Sequence, residues 1–213
     1  MNGVFVTGSN TEVGKTTVSV EIIKHLRKKR KIVVRKPVET DCDLVNGSYF
    51  PKDATKLNDA CGSGESLTQV CPYCFELEAS PEEASLDAGK TLSLDDLIGA
   101  CNDGVGNRFV FVEGAGGFYS PIADKALNSD LAVHLDLPVV IVVRDELGAI
   151  SQALLTIDAA INKKLKVAFV VLNEIEQNTL SNLEALRSYT DVPVLKFSQK
   201  SPQSFCLKVE KLI

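Results

Sequence analysis

The chain has 213 residues, with 23 Lys and Arg against 28 Asp and Glu, a formal charge of −5, and 45% hydrophobic and 24% charged residues. That is the composition of one globular domain over residues 1–213, large enough for a substantial core and neither disordered nor fibrous. The acidic balance excludes a dedicated nucleic-acid binder, and no apolar run approaches the roughly 18 residues of a membrane span, so a soluble cytoplasmic protein without nucleic-acid or membrane partners is expected.

From the N-terminus, residues 4–7 form a short apolar run that reads as a strand, and Val18, Ile22 and Leu26 recur at helical spacing soon after. Between them stands Gly8-Ser9-Asn10-Thr11-Glu12-Val13-Gly14-Lys15-Thr16-Thr17. A glycine-rich loop between a strand and a helix, closed by Gly-Lys-Thr, is the context of a Walker A phosphate loop. Its glycines let backbone N–H groups curl round phosphate oxygens, Lys15 reaches the β and γ phosphates, and Thr16 offers a hydroxyl to Mg²⁺. The loop is one residue longer than the common spacing. Arg27 to Lys31, at the end of that helix, complements the negative end of the helix dipole and is not read as a nucleic-acid patch.

Residues 31–35 give a second strand, and Lys36, ahead of Pro37, leaves the sheet at the same edge as the loop. Residues 41–74 mix Gly, Ser, Asn, Asp and Pro, which predicts long loops with one helix at 52–60, near whose start lies Asp53. Cys71-Pro72-Tyr73-Cys74 has redox or zinc spacing but lacks further metal ligands, so all six cysteines are expected to be reduced thiols. Ser80 and Ser93 each precede acidic residues and open helices over 80–88 and 93–101.

Residues 108–113 give a third strand with Glu113 at its end, in the place of a Walker B acid, and Gly114-Ala115-Gly116-Gly117 reads as a glycine-rich turn. Further strands fall at 138–143, 166–172 and 193–197, with Leu154, Ile157 and Ile161 forming a helical stripe that covers the sheet. The terminal segment sets Phe205, Val209, Leu212 and Ile213 on one face, for packing on the domain. His25 and His134, the two histidines, stand away from the motifs and are assigned to structure or surface. Alternating apolar runs and amphipathic helices predict an α/β fold with a mostly parallel central sheet flanked by helices, three layers deep, of P-loop NTPase type.

Taken together, Val6 to Thr16 with its TEVGKT core, then Lys36-Pro37-Val38, then Val112-Glu113-Gly114-Ala115-Gly116-Gly117, resemble the dethiobiotin synthetase family of biotin biosynthesis, from Val4 to about Asn173. The resemblance implies a homodimeric, Mg²⁺-dependent ligase that joins diaminopelargonic acid and CO₂ at the expense of ATP. It places Lys15 on the phosphates and Lys36 at the carbamate and transferring phosphate. It groups Thr16, Asp53 and Glu113 round Mg²⁺, and gives the nucleotide Glu12, Val13, Gly14, Thr17, Gly114, Ala115, Gly116 and Asn173. Thr11 and Thr40 fall on the substrate side, while Gly148 and Ser151, at a helix start, receive the substrate carboxylate of the partner subunit. Where the family commonly has Asn, this chain has Ser151, and the family's Gly and Ile-Pro pair after the last strand is replaced by Lys196-Phe197-Ser198-Gln199-Lys200. Weak discrimination among nucleoside triphosphates is therefore expected.

The competing readings are a P-loop switch ATPase of the partitioning or division-positioning type and an amide-forming ligase acting on a large cofactor precursor. The first carries a second Lys near the start of its loop, where this chain has Asn10. The second usually carries a glutaminase domain, for which 213 residues leave no room.

Overall fold

In the computed structural model, which describes Met1–Ile213, β1 (Gly3–Gly8) is buried along its whole length. It needs no polar face, because it lies at the centre of a parallel sheet covered on both sides. The phosphate loop leads into α1 (Lys15–Leu26), which returns the chain to β2 (Ile32–Arg35). A layered insertion follows, with β3 (Val38–Glu39), a hairpin of β4 (Asp43–Val45) and β5 (Ser48–Phe50), α2 (Lys52–Cys61), α3 (Leu67–Val70) and β6 (Tyr73–Cys74). Next come α4 (Pro81–Asp87), α5 (Leu94–Asn102) and β7 (Phe109–Gly117), then the short pair β8 (Pro121–Ala123) and β9 (Ala126–Leu127). The remainder alternates as α6 (Asn128–Leu135), β10 (Val139–Arg144), α7 (Ala149–Asn162), β11 (Val167–Asn173), α8 (Asn182–Arg187), β12 (Val194–Phe197) and α9 (Pro202–Val209).

The main sheet has six strands in the order β12-β11-β10-β1-β7-β2, all parallel. Successive side chains point to opposite faces. Phe5 therefore joins a core of 32 buried residues that includes α5, α6 and α7, and Val4 and Val6 join a second of 27 that includes α1, α2 and α9. The three-layer α/β architecture is as expected, and every main-sheet strand lies where an apolar run foretold it. No helix is long and apolar enough to cross a membrane.

Three local expectations are corrected. Gly114 to Gly117 do not form a turn but extend β7, with a register irregularity against β1 between Val6 and Gly8. Residues 41–74 hold more than one helix, because the hairpin β4–β5, α3 and β6 lie there as well. In α7 the face on the sheet is Ala149, Ala153, Thr156, Ile157 and Ala160, whereas Ile161 is 54% exposed. Small residues let this helix approach the sheet closely, which turns the bulkier Leu155 and Ile161 outward.

The serine caps behave as anticipated: Ser80 and Ser93 accept backbone N–H bonds from Glu83 and Asp96, and Ser93 completes a capping box with Asp96. Phe205 and Val209 of α9 are buried against the α1 side of the sheet, and Leu212 and Ile213 pack on the same core. His25 contacts Glu210 at 2.8 Å, which ties α1 to the segment after α9, far from the loop.

Candidate active site

The chemistry-bearing residues gather where β1, β2 and β7 end, the side of an open parallel sheet at which ligands bind. The loop is wound by two left-handed residues, Glu12 at φ 55° and Gly14 at φ 84°. At Gly14 the geometry demands glycine twice over: the torsion disfavours a side chain, and a Cβ would run into the amide of Asn173. Asn173, buried at the end of β11, donates through Nδ2 to the Val13 carbonyl at 2.9 Å and so pins the loop from beneath.

Lys15 opens α1 and turns back over the loop, its Nζ donating to the Asn10 carbonyl at 3.2 Å. Burial lowers its pKa to about 8, reinforced by the nearby Lys36 and only partly relieved by Glu113 and Asp53. An ammonium in this state lacks enough negative charge around it, and phosphate oxygens would supply it.

Glu113, completely buried in β7, is the hub of the site. Its Oε1 accepts from Thr16 Oγ1 at 2.7 Å and from Lys36 Nζ at 3.2 Å, while Oε2 accepts from Ser19 Oγ at 2.9 Å. Lys36 is only 4% exposed, contrary to the usual solvated lysine, and also donates to the Gly114 carbonyl at 3.3 Å. Burial acts to lower its pKa, but Glu113, Glu39 and Asp53 outweigh that effect and raise it, so Lys36 stays cationic. Asp53 is held below its usual value: burial opposes ionisation, yet Lys36, Lys56 and the Thr16 hydroxyl favour the carboxylate.

Two residues that motif reading passed over complete the arrangement. Ser19 lies four positions beyond Lys15 on the same face of α1, a spacing that could have singled it out. Glu39 lies on β3, and its two oxygens accept the N–H groups of Asp53 and Ala54 at 2.8 Å each. It thereby caps α2, whose N-cap Pro51 has no side chain able to do so, and fixes Asp53 beside the phosphate loop. Burial raises the Glu39 pKa against the opposing pull of Lys36 and of these two N–H donors.

These side chains surround a cavity of about 260 Å³ that draws together Thr11, Glu12, Lys15, Lys36, Thr40, Asp53, Ala115 and Gly116, with Glu39 as a further wall. Thr16 and Glu113 lie directly beneath it through the contacts above. Gly114 and Thr17 flank the same loops, and Val13, Gly14 and Asn173 form the support of the phosphate loop. Gly148 and Ser151 are not brought to this cavity. Gly148 is the left-handed N-cap of α7 and Ser151 is exposed on the first turn of that helix.

The donor set of Thr16, Asp53 and Glu113, one hydroxyl and two carboxylates, is all oxygen and suits a hard divalent cation that retains water and phosphate ligands. No group of three or more His, Cys, Asp or Glu is arranged as a metal cage. The residues present fit Mg²⁺ delivered with a nucleotide.

A family model described as an AAA domain matches residues 2–197. A protein of Ruthia magnifica subsp. Calyptogena magnifica named "ATP-dependent dethiobiotin synthetase BioD" is 46% identical over 213 residues, 100% of this chain and 99% of its own length. One of the same name from Aromatoleum aromaticum is 34% identical over 196 residues, 90% of this chain and 87% of its own. Among solved structures, a ParA family ATPase from Chlorobium tepidum TLS matches with a TM-score of 0.58 at 11% identity, covering 100% of this chain and 92% of that one. The septum site-determining protein MinD of Pyrococcus horikoshii OT3 matches with a TM-score of 0.53 at 15% identity, covering 98% and 86%. At such identities the structural likeness speaks for the fold alone.

Proposed function

The chain belongs to the ATP-dependent dethiobiotin synthetases, and from that premise we propose that the cavity at the phosphate loop is where diaminopelargonic acid, CO₂ and ATP become dethiobiotin, ADP and phosphate. The observation that carries this reading is the buried Lys36–Glu113 pair at 3.2 Å, set behind the loop that holds Lys15. A switch ATPase would place its second lysine in the loop itself, where this chain has Asn10.

One substrate amine captures CO₂ as a carbamate, the carbamate oxygen attacks the γ-phosphorus, and the second amine then attacks the carbamate carbon as phosphate leaves. Every step concentrates negative charge in one small volume, so positioned cations and N–H donors are the source of catalysis. Lys15 and the loop N–H groups hold the triphosphate. Lys36, kept protonated by Glu113, Glu39 and Asp53, faces the carbamate and the transferring phosphoryl group. Thr11 and Thr40, both lining the cavity, orient the diamine. Thr16, Asp53 and Glu113 would hold Mg²⁺, which when bound neutralises charge on the nucleotide phosphates. Ser19 keeps Glu113 aimed at the site.

The reading includes a homodimer in the cytoplasm. Leu147 and Leu155, at 88% and 68% exposure, leave apolar side chains uncovered before and along α7, available to a second copy. Gly148 and Ser151, at the start of α7, would offer the partner's substrate carboxylate the N-terminal end of a helix.

The direct test supplies the purified protein with diaminopelargonic acid, ATP, Mg²⁺ and isotopically labelled bicarbonate. Dethiobiotin labelled at the ureido carbon supports the proposal, and ATP hydrolysis without labelled product refutes it.

Two further outcomes arise from the nucleotide side. The lowered pKa of Lys15, about 8, means that half of the free protein lacks this cation near pH 8. Bound phosphates restore the charge, so the Lys15-dependent proton uptake on ATP binding should be clear at pH 8 and small at pH 6.5. Affinity should weaken as pH rises above 8. Titration calorimetry in buffers of different ionisation heat reads this uptake, which should vanish in Lys15→Met.

Beyond Asn173, the ends of β11 and β12 enclose a cavity of about 410 Å³ lined by Glu174, Lys196, Ser198, Ser201 and other polar residues, with no apolar wall. A base placed there gains little packing, so turnover and KM with ATP, GTP and CTP should agree within about threefold. Steady-state kinetics with each triphosphate decides this, and a strict ATP preference would contradict it.

A further inference from the structure

The Cys71–Cys74 motif has no part in the chemistry above, yet the structure places it in contact with the substrate side of the site. The sulfur atoms of Cys71 and Cys74 are 3.7 Å apart, and the thiol of Cys42 nearby donates to the Glu39 carbonyl at 3.5 Å. Cys42 and Cys71 are buried and Cys74 is half-buried, so Cys74 is the member of the trio that solvent reaches. This corner is laced to Lys36 and to β3 by backbone bonds. Lys36 N–H donates to the Val70 carbonyl at 2.9 Å, Phe75 N–H to Glu39 at 3.0 Å and Cys42 N–H to Phe75 at 3.0 Å, while β6 pairs in parallel with β3. The residues so tied are Lys36, which faces the reacting groups, Glu39, which fixes Asp53, and the stretch holding Thr40.

We propose that Cys71 and Cys74 are a disulfide-forming pair whose oxidation by a low-molecular-weight disulfide impairs the diamine side of the active site. For its consequence on activity the proposal rests on the function argued above; the bond itself does not depend on it. Cys74, losing its proton to solvent, attacks one sulfur of the small disulfide and expels a thiolate, leaving a mixed disulfide. Cys71 then loses its proton, attacks the Cys74 sulfur and expels the second thiolate. Two small thiols are formed, and the protein loses two hydrogens. The sulfurs must close from 3.7 Å to a bond of about 2.0 Å, which shifts Cys74 on β6 against Glu39, its partner on β3.

The local chemistry sets the tempo and the permanence. The neighbouring Cys42 acts to lower the Cys74 pKa, but Cys71 and burial outweigh it and push the thiol up to about 12. Thiolate is therefore scarce at neutral pH and exchange is slow. For the same reason the reduced form gains nothing from a stabilised thiolate, so the bond resists reversal once made. Cys61 and Cys206, which donate to the backbone carbonyls of Ile32 and Glu21 and have no sulfur partner, serve as internal controls.

The full-length protein, equilibrated with glutathione disulfide, should fall from six free thiols to four, with a peptide map showing a Cys71–Cys74 link. The kcat/KM for diaminopelargonic acid should drop about tenfold, with KM for ATP little changed, as expected when a wall of the substrate site shifts by a fraction of an ångström. Dithiothreitol should restore both the thiol count and the rate. Cys74→Ser should retain activity under oxidation, and Cys71→Ala offers the same test should the first variant fold poorly. Six thiols remaining free would overturn the proposal irrespective of what the enzyme makes, and a Cys71–Cys74 bond with unaltered kinetics for the diamine would overturn its functional half.

Discussion

Replacing Lys36 by methionine is expected to lower dethiobiotin formation about 10³-fold while leaving KM for ATP within a few-fold of its original value. The asymmetry follows from position. Lys15 and the loop N–H groups, which hold the triphosphate, stay in place without Lys36, whereas the carbamate would lose the buried cation that faces it. The same substitution strips Glu113 of its cationic partner and leaves the Thr16 and Ser19 hydroxyls on a fully buried carboxylate. A stability loss of about 3 kcal/mol should accompany the loss of activity. Thermal unfolding separates the two effects, because Lys36→Met combined with Glu113→Gln should regain much of the stability and none of the activity. Product formation by Lys36→Met within tenfold of the unsubstituted protein would remove Lys36 from the chemistry.

The largest effect on stability is expected one residue earlier. Arg35 is completely buried, and its guanidinium donates to Glu65 through Nη1 at 2.9 Å and Nη2 at 3.2 Å; Arg108 adds a third bond to the same carboxylate at 3.0 Å. The Arg35 Nε finds no partner, so this charge depends on Glu65 and on the carbonyls of Val34 and Asp103. Glu65→Ala leaves a buried guanidinium without its carboxylate, at a cost of about 3–5 kcal/mol. The melting temperature should fall by roughly 10–15 °C.

The pH dependence of that difference has a definite sign. Burial opposes ionisation of Glu65, but Arg35 and Arg108 outweigh it and hold the carboxyl below its usual value of 4.5. A depressed carboxylate contributes stability above its unfolded pKa and loses it as pH falls through the folded one. The gap between Glu65→Ala and the unsubstituted protein should thus be full at pH 7 and shrink below pH 4.5. A melting temperature within 3 °C of the original at pH 7 would contradict the network's structural role.

The central sheet was legible because parallel strands covered on both faces are mainly apolar, so each appears as a short run dominated by Val, Ile, Leu and Phe, even at β2 and β12, where Arg35 and Lys196 intervene. Phosphate-loop residues were equally plain, since the loop draws its ligands from consecutive positions. What stayed hidden depends on partners distant in sequence. Nothing near Glu39 announces that it caps α2, because the signal is the missing cap at Pro51, twelve residues on. The hairpin β4–β5 is a different case. Asn46-Gly47, at φ 51° and 80°, is the turn pair that two-residue hairpins favour, and apolar residues flank it on both sides. Reading the polar stretch around it as loop overlooked that pair. In α7 the periodicity of large residues misled, because the face that meets the sheet is made mostly of alanines.

The most direct test of the account measures phosphate released from ATP and Mg²⁺ with bicarbonate, with and without diaminopelargonic acid. The account predicts release that depends strongly on the diamine, with one phosphate for each dethiobiotin formed. Release at the same rate without the diamine would contradict it and point to a nucleotide switch on the same fold.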